Sequence, residues 1–91
     1  EAVLAPASQS RIVRVPATPF AGATLAESGI YEETGCRVIA VTDDDGNAGT
    51  VDPGHRFDGG EEITIVGTDE SVQAFLKRFD VTPASEDRVR P

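Results

Sequence analysis

Glu62-Ile-Thr-Ile-Val66-Gly-Thr68-Asp-Glu-Ser-Val72-Gln-Ala-Phe75-Leu-Lys-Arg-Phe79 decides the fold, because the spacing of its apolar residues changes partway along. Ile63 and Ile65 lie two apart, on one face of a strand. Val72, Phe75, Leu76 and Phe79 then follow the i, i+3, i+4, i+7 spacing of a helix with one buried face. Thr68 is a good N-cap for that helix, Asp69 and Glu70 occupy the first turn, where the helix dipole favours anions, and Lys77 and Arg78 occupy the last. Such a helix has only a sheet on which to bury its stripe, so the pattern predicts an α+β domain ending in an amphipathic helix.

Upstream, Arg11-Ile-Val-Arg-Val15 is rich in β-branched residues and runs into Pro16, which reads as a first strand ending at an edge. Thr24-Leu-Ala-Glu-Ser28 is a short helical segment closed by Gly29, and Tyr31–Thr34 repeats the device with Gly35. Cys36-Arg-Val-Ile-Ala-Val-Thr42 is almost wholly apolar or β-branched, the pattern of a central strand covered on both faces. Asp43–Asn47 supplies a turn, Gly49–Asp52 a short antiparallel return, and Gly59-Gly60 the turn before Glu62. The expected sheet is mixed or antiparallel, with a short helix after strand one.

With 91 residues, the chain can bury only about three-fifths of its unfolded surface and so build one modest core. Residues 1–10 and 80–91 are rich in Ala, Pro, Ser and charge and read as linker and polar tail around a domain at 11–79. The opening at Glu1 without any methionine predicts a piece of a longer polypeptide. No apolar run approaches the roughly 20 residues of a membrane span. The expectation is a cytoplasmic module without membrane insertion, even if attached to a membrane protein. Sixteen acidic residues against eight basic ones, a net charge of −8, argue against nucleic acid as a partner, since that affinity comes from cations neutralising phosphates.

The single cysteine, Cys36, reads as a small buried residue in a reducing compartment. Asp43, Asp45 and Asn47 alternate like a calcium loop, but Ala48 stands where such a loop needs glycine and Gly54 where it needs glutamate. They read as a solvated turn. Gly46-Asn-Ala-Gly49 has the spacing of a GxxG clamp without basic surroundings. His55 lies in a turn, and with Cys36 supplies neither a convincing nucleophile–base pair nor a zinc site. The expectation is no enzyme, no cofactor and no metal.

Three blocks in order carry a resemblance: Gly22-Ala-Thr-Leu-Ala-Glu-Ser-Gly-Ile30, Gly35-Cys-Arg-Val-Ile-Ala-Val41, and Asp52-Pro53 with Phe57-Asp-Gly-Gly-Glu-Glu-Ile-Thr-Ile-Val-Gly67. Over about Arg11 to Phe79 the chain resembles the TrkA-C (RCK-C) domain of potassium channels and transporters. Glu61 departs from the family, which usually places aspartate there. The resemblance implies a β-α-β-β-β-type domain that pairs with a second copy and works beside a channel or transporter subunit, or an attached transport or regulatory domain, sensing a ligand and biasing the gate. In some relatives the ligand is cyclic di-AMP, held between paired copies by the segment corresponding here to Ile30, Tyr31, Arg37, Val38 and Ile39. Those binders tend to carry arginine in place of Tyr31 and asparagine in place of Arg37. The expectation for this chain is therefore a small anionic ligand, a nucleotide or cyclic dinucleotide. Two Arg37 side chains beside a two-fold axis would supply its countercharge and Tyr31 a stacking surface. Arg37 has an alternative as a rim residue paired with Glu32 or Glu33. Dimerisation alone, within another regulator, is the competing function.

Overall fold

A computed structural model describes residues 10–88. Five strands form one antiparallel sheet: β1 (Ser10–Pro16), β2 (Arg37–Thr42), β3 (Ala48–Gly49), β4 (Glu62–Thr68) and β5 (Ser85–Arg88), in the spatial order β3-β2-β4-β1-β5. Between β1 and β2 come a 3-10 turn (Thr18–Phe20) and two short helices, α1 (Leu25–Ser28) and α2 (Ile30–Thr34). The long helix α3 (Asp69–Phe79) follows β4 without a break. No helix among the described residues is long and apolar enough to cross a membrane.

The stretch that changes period behaves as its spacing predicts. Ile63 and Ile65 pair opposite Val15 and Val13, and all four side chains are fully buried on the face that receives α3. Val72 and Phe75 point down from α3 into that layer, with Leu76 and Phe79 packed at its margin. Phe20, Phe57, Phe75 and Phe79 close one end of the core, with Phe20 and Phe79 edge-on at 4.7 Å between ring centroids. Thr68 caps α3 by accepting the Ser71 amide at 3.1 Å, and Asp80 ends it in the left-handed conformation.

Two expectations need correction. The apolar strand β2 is not covered on both faces: β4 takes the centre of the sheet, while Ile39 is 48% exposed and only Val41 of β2 is buried. A continuous apolar run records that a strand is to be covered but not whether its own chain supplies the cover. Nor does β1 lie at an edge, because Ser85–Arg88, within the segment read as tail, pairs with Arg11–Arg14. Pro16 is tolerated because it is the last residue of β1, beyond the reach of β5. The linker expected at residues 1–10 lies, but for Ser10, outside the described residues.

Candidate functional site

The site expected from sequence is built by the two short helices and the start of β2. Thr24 and Glu27 form a reciprocal capping box at α1, with the Glu27 amide donating to Thr24 Oγ1 at 3.1 Å and the Thr24 amide donating to Glu27 Oε1 at 2.9 Å. The Thr24 backbone N–H is the main reason that the Glu27 carboxyl is held below its ordinary range, helped by the Thr24 hydroxyl and Arg56 and opposed by desolvation. Gly29, at φ +70°, ends α1 in the left-handed region and starts α2 directly. Ile30 thereby enters the core at 2% exposure, while Tyr31, one position on, stands 51% exposed.

The exit from α2 is equally constrained. Thr34 Oγ1 donates to the Ile30 carbonyl at 2.6 Å and accepts the Cys36 amide at 3.1 Å. Gly35, at φ +83°, donates its amide to Tyr31 O at 2.8 Å. The chain therefore drops Cys36 into the core and begins β2 with Arg37 beside Tyr31. In β2 the pairing with β4 shifts between Val38 and Ala40, so Ile39 is left out of register and pushed outward.

A groove of about 330 Å³ lies between α1, α2 and β2. Ile30, Tyr31, Arg37, Val38 and Ile39 all border it, so the five residues singled out from sequence do meet at one place. Leu25, Glu32 and Pro53 also border it, and Pro53 arrives from the loop after β3. Within the sequence, the Asp52-Pro53 block carries no sign that it turns back to the helices.

The groove is apolar with a charged rim. The Arg37 guanidinium carbon stands 4.3 Å from the centroid of the Tyr31 ring, a cation–π contact. The alternative pairing of Arg37 with Glu32 or Glu33 does not form: Glu33 is bonded by Arg78, and among the described residues no carboxylate makes an ion pair with Arg37. The contact that Arg37 does make is with the Tyr31 ring.

Cys36 and His55 do not meet as a nucleophile and base. Cys36 is fully buried beside the groove, and desolvation pushes its thiol above the ordinary range, against smaller pulls from the Thr34 hydrogen bond and the Arg11 charge. His55 borders a different hollow, with Asp43 and Asn47, and its Nε2 stands 3.0 Å from Glu61. No group of three or more His, Cys, Asp or Glu side chains among the described residues is placed to hold a metal. The groove itself presents apolar contact surface, the exposed Tyr31 ring and the Arg37 cation.

No curated protein matches this chain. Among solved structures it is similar to the GsuK RCK domain, at a TM-score of 0.68 and 30% identity over 79% of this chain and 16% of that one. It is also similar to the GsuK channel bound to NAD, at a TM-score of 0.73 and 27% identity over 91% of this chain and 15% of that one. It therefore spans a small part of either GsuK chain. The RCK_C domain dimer of S. agalactiae BusR in complex with c-di-AMP shares the fold, at a TM-score of 0.58 and 19% identity over 67% of this chain and 80% of that one. The family model of the TrkA-C domain matches residues 11–80, nearly the whole of the described sheet and helices, and the chain accordingly belongs to the TrkA-C domain family.

Proposed function

We propose that this chain is the ligand-sensing regulatory domain of a potassium channel or transporter, and that it binds a small anionic ligand, a nucleotide or cyclic dinucleotide, between two paired copies. The observation that carries this reading is the groove where an unpaired arginine, Arg37, lies over an exposed aromatic ring, Tyr31, in a chain of net charge −8. Such a chain repels anions at long range and holds one only where arginine is locally concentrated. At physiological ionic strength the screening length is about 8 Å, so a local pair of arginines acts largely free of the distant acidic surface. A two-fold axis beside the groove doubles what Arg37 contributes. Support for the ligand class comes from the relatives, one bound to NAD and one, as a dimer, to c-di-AMP.

The test is a thermal-shift and calorimetric screen of nucleotides and cyclic dinucleotides against the wild type and Arg37→Ala. A ligand that binds only the folded chain raises its melting temperature by mass action, and the reading expects that rise to be lost in Arg37→Ala. A ligand whose affinity is unchanged in Arg37→Ala would overturn the site. If nothing in the screen binds the wild type, the competing reading of a dimerisation-only module is favoured, and the exposed Tyr31 and Ile39 are then its interface.

A further inference from the structure

Pro53 reaches the groove because the segment from Pro53 to Phe57 runs antiparallel beside Gly22–Ala26. The Ala26 amide donates to Pro53 O at 3.0 Å, the Leu25 amide to His55 O at 3.0 Å and the Gly22 amide to Phe57 O at 2.9 Å, while the Phe57 amide donates to Ala23 O at 2.9 Å. Leu25, Ala26 and Pro53 all border the groove. One side-chain contact ties this segment to the head of β4: His55 Nε2 stands 3.1 and 3.0 Å from the two carboxylate oxygens of Glu61. The Glu61 side chain is only 11% exposed. Its Oε1 also accepts the Asp58 amide at 3.0 Å, and its carbonyl accepts the Ala17 amide at 2.9 Å. Glu61 is thus held by its backbone next to the paired ends of β1 and β4, and by its carboxylate to the Asp58 turn.

We propose that His55 and Glu61 form a pH-responsive latch that positions the Pro53 wall of the groove. Histidine is the side chain whose charge ordinarily responds to pH in the range that a cell can traverse. Neutral His55 offers the Glu61 carboxylate one N–H; protonated His55 offers the same N–H with a full charge, which turns the hydrogen bond into an ion pair. Among the described residues the neighbouring charged groups have other partners, and none but Glu61 is hydrogen-bonded to the ring. Asp43, across the same hollow, uses Oδ1 to accept the Asp45 and Asn47 amides. Asp52 accepts the Gly54 amide and Asp58 the Gly60 amide. Arg56, next in the chain, turns to Gly22 O and Glu27, and Glu62 pairs with Arg14. Phe57 covers the ring edge-on at 5.3 Å between centroids. Protonation therefore tightens the Glu61 contact, and through His55 O and Pro53 O it steadies Leu25 and Ala26. The consequence for ligand rests on the proposed function of the groove; the latch itself does not.

Amide hydrogen exchange, followed by NMR on the ligand-free chain between pH 5.5 and 7.5, tests this. After correction for intrinsic rates, protection of the Leu25 and Ala26 amides is expected to be about fivefold greater at the acid end, the upper end of what a partly exposed ion pair contributes. The Val13 and Ile65 amides, in the centre of the sheet, are expected to stay constant. Glu61→Gln keeps an acceptor for the Asp58 amide and is expected to abolish the dependence. Leu25 and Ala26 protection that ignores pH, that merely follows Val13 and Ile65, or that keeps its pH dependence in Glu61→Gln overturns the latch. If Glu61→Gln does not fold, the wild-type comparison between the two pairs of amides decides alone. Because no nucleotide is added, failure here leaves the proposed ligand standing, and a failed nucleotide screen leaves the latch standing.

Discussion

The guanidinium of Arg37 lies 4.3 Å over the ring of Tyr31, across the tight turn that Gly35 closes. Both residues are exposed, and the contact is worth only about 0.5–1 kcal/mol in such a setting. Arg37→Ala is therefore expected to cost less than about 1 kcal/mol in urea unfolding, while removing ligand response. A larger loss would mean that Arg37 holds the fold rather than serving the groove.

Ile39 stands 48% exposed because the irregular pairing of β2 with β4 pushes it out of the ladder. With Tyr31 it forms an apolar surface beside the groove, which a second copy would cover. The wild type is expected to sediment as a dimer at high micromolar concentration and Ile39→Asp to shift toward monomer with its circular dichroism unchanged. A wild type that stays monomeric, or an Ile39→Asp variant that stays dimeric, would place the interface elsewhere.

Phe75 is fully buried at the centre of the α3 stripe and touches Phe20 and Phe79. Phe75→Ala should cost about 3–5 kcal/mol, from lost burial and the cavity left behind. That is a large share of the 5–15 kcal/mol typical of a whole domain. Denaturant unfolding with a loss under about 1 kcal/mol would contradict the packing of α3.

Gly35 combines a φ of +83° with a close neighbour, since a Cβ there would stand 2.8 Å from Ser71 Oγ. Gly35→Ala is expected to destabilise by at least the roughly 1–2 kcal/mol cost of a left-handed L-residue. Adding Ser71→Ala should recover only the part due to the close contact, as the backbone strain remains. Full recovery in the double variant would show that the conformation itself is cheap.

Burial holds the folded Cys36 thiol above its ordinary range. The stabilisation this represents is present in full below the unfolded value, about 8.5, and is lost as pH rises through the folded one. Stability should fall with rising pH across that window, and less steeply in Cys36→Ala. At neutral pH a thiol reagent should modify Cys36 only as fast as the chain opens. Native reaction at the rate of a free cysteine would contradict its burial.

Much of this architecture is legible in local spacing. Ile63 and Ile65 declare a strand by their period of two, Val72, Phe75, Leu76 and Phe79 declare a helix by their period near 3.6, and Gly29 and Gly35 mark the ends of two turns because only glycine adopts those angles cheaply. The five groove residues lie in two nearby segments, Ile30-Tyr31 and Arg37–Ile39, joined by one turn, so their meeting needs no long-range folding.

Tertiary structure decided what no period encodes. The strand Arg37–Thr42 has the composition of a central strand, yet its place beside β3 and the shift at Ile39 leave part of it uncovered. Ser85–Arg88 carries no apolar alternation, and its pairing with β1 rests on backbone hydrogen bonds, which any sequence except proline supplies. Pro53 reaches the groove, and His55 reaches Glu61, only through bonds between segments about thirty residues and six residues apart, Ala26 to Pro53 and His55 to Glu61. Local sequence determines which angles and faces a segment prefers. Which segments then share a wall is settled by long-range hydrogen bonding and packing, where the energy belongs to pairs of segments and to neither alone.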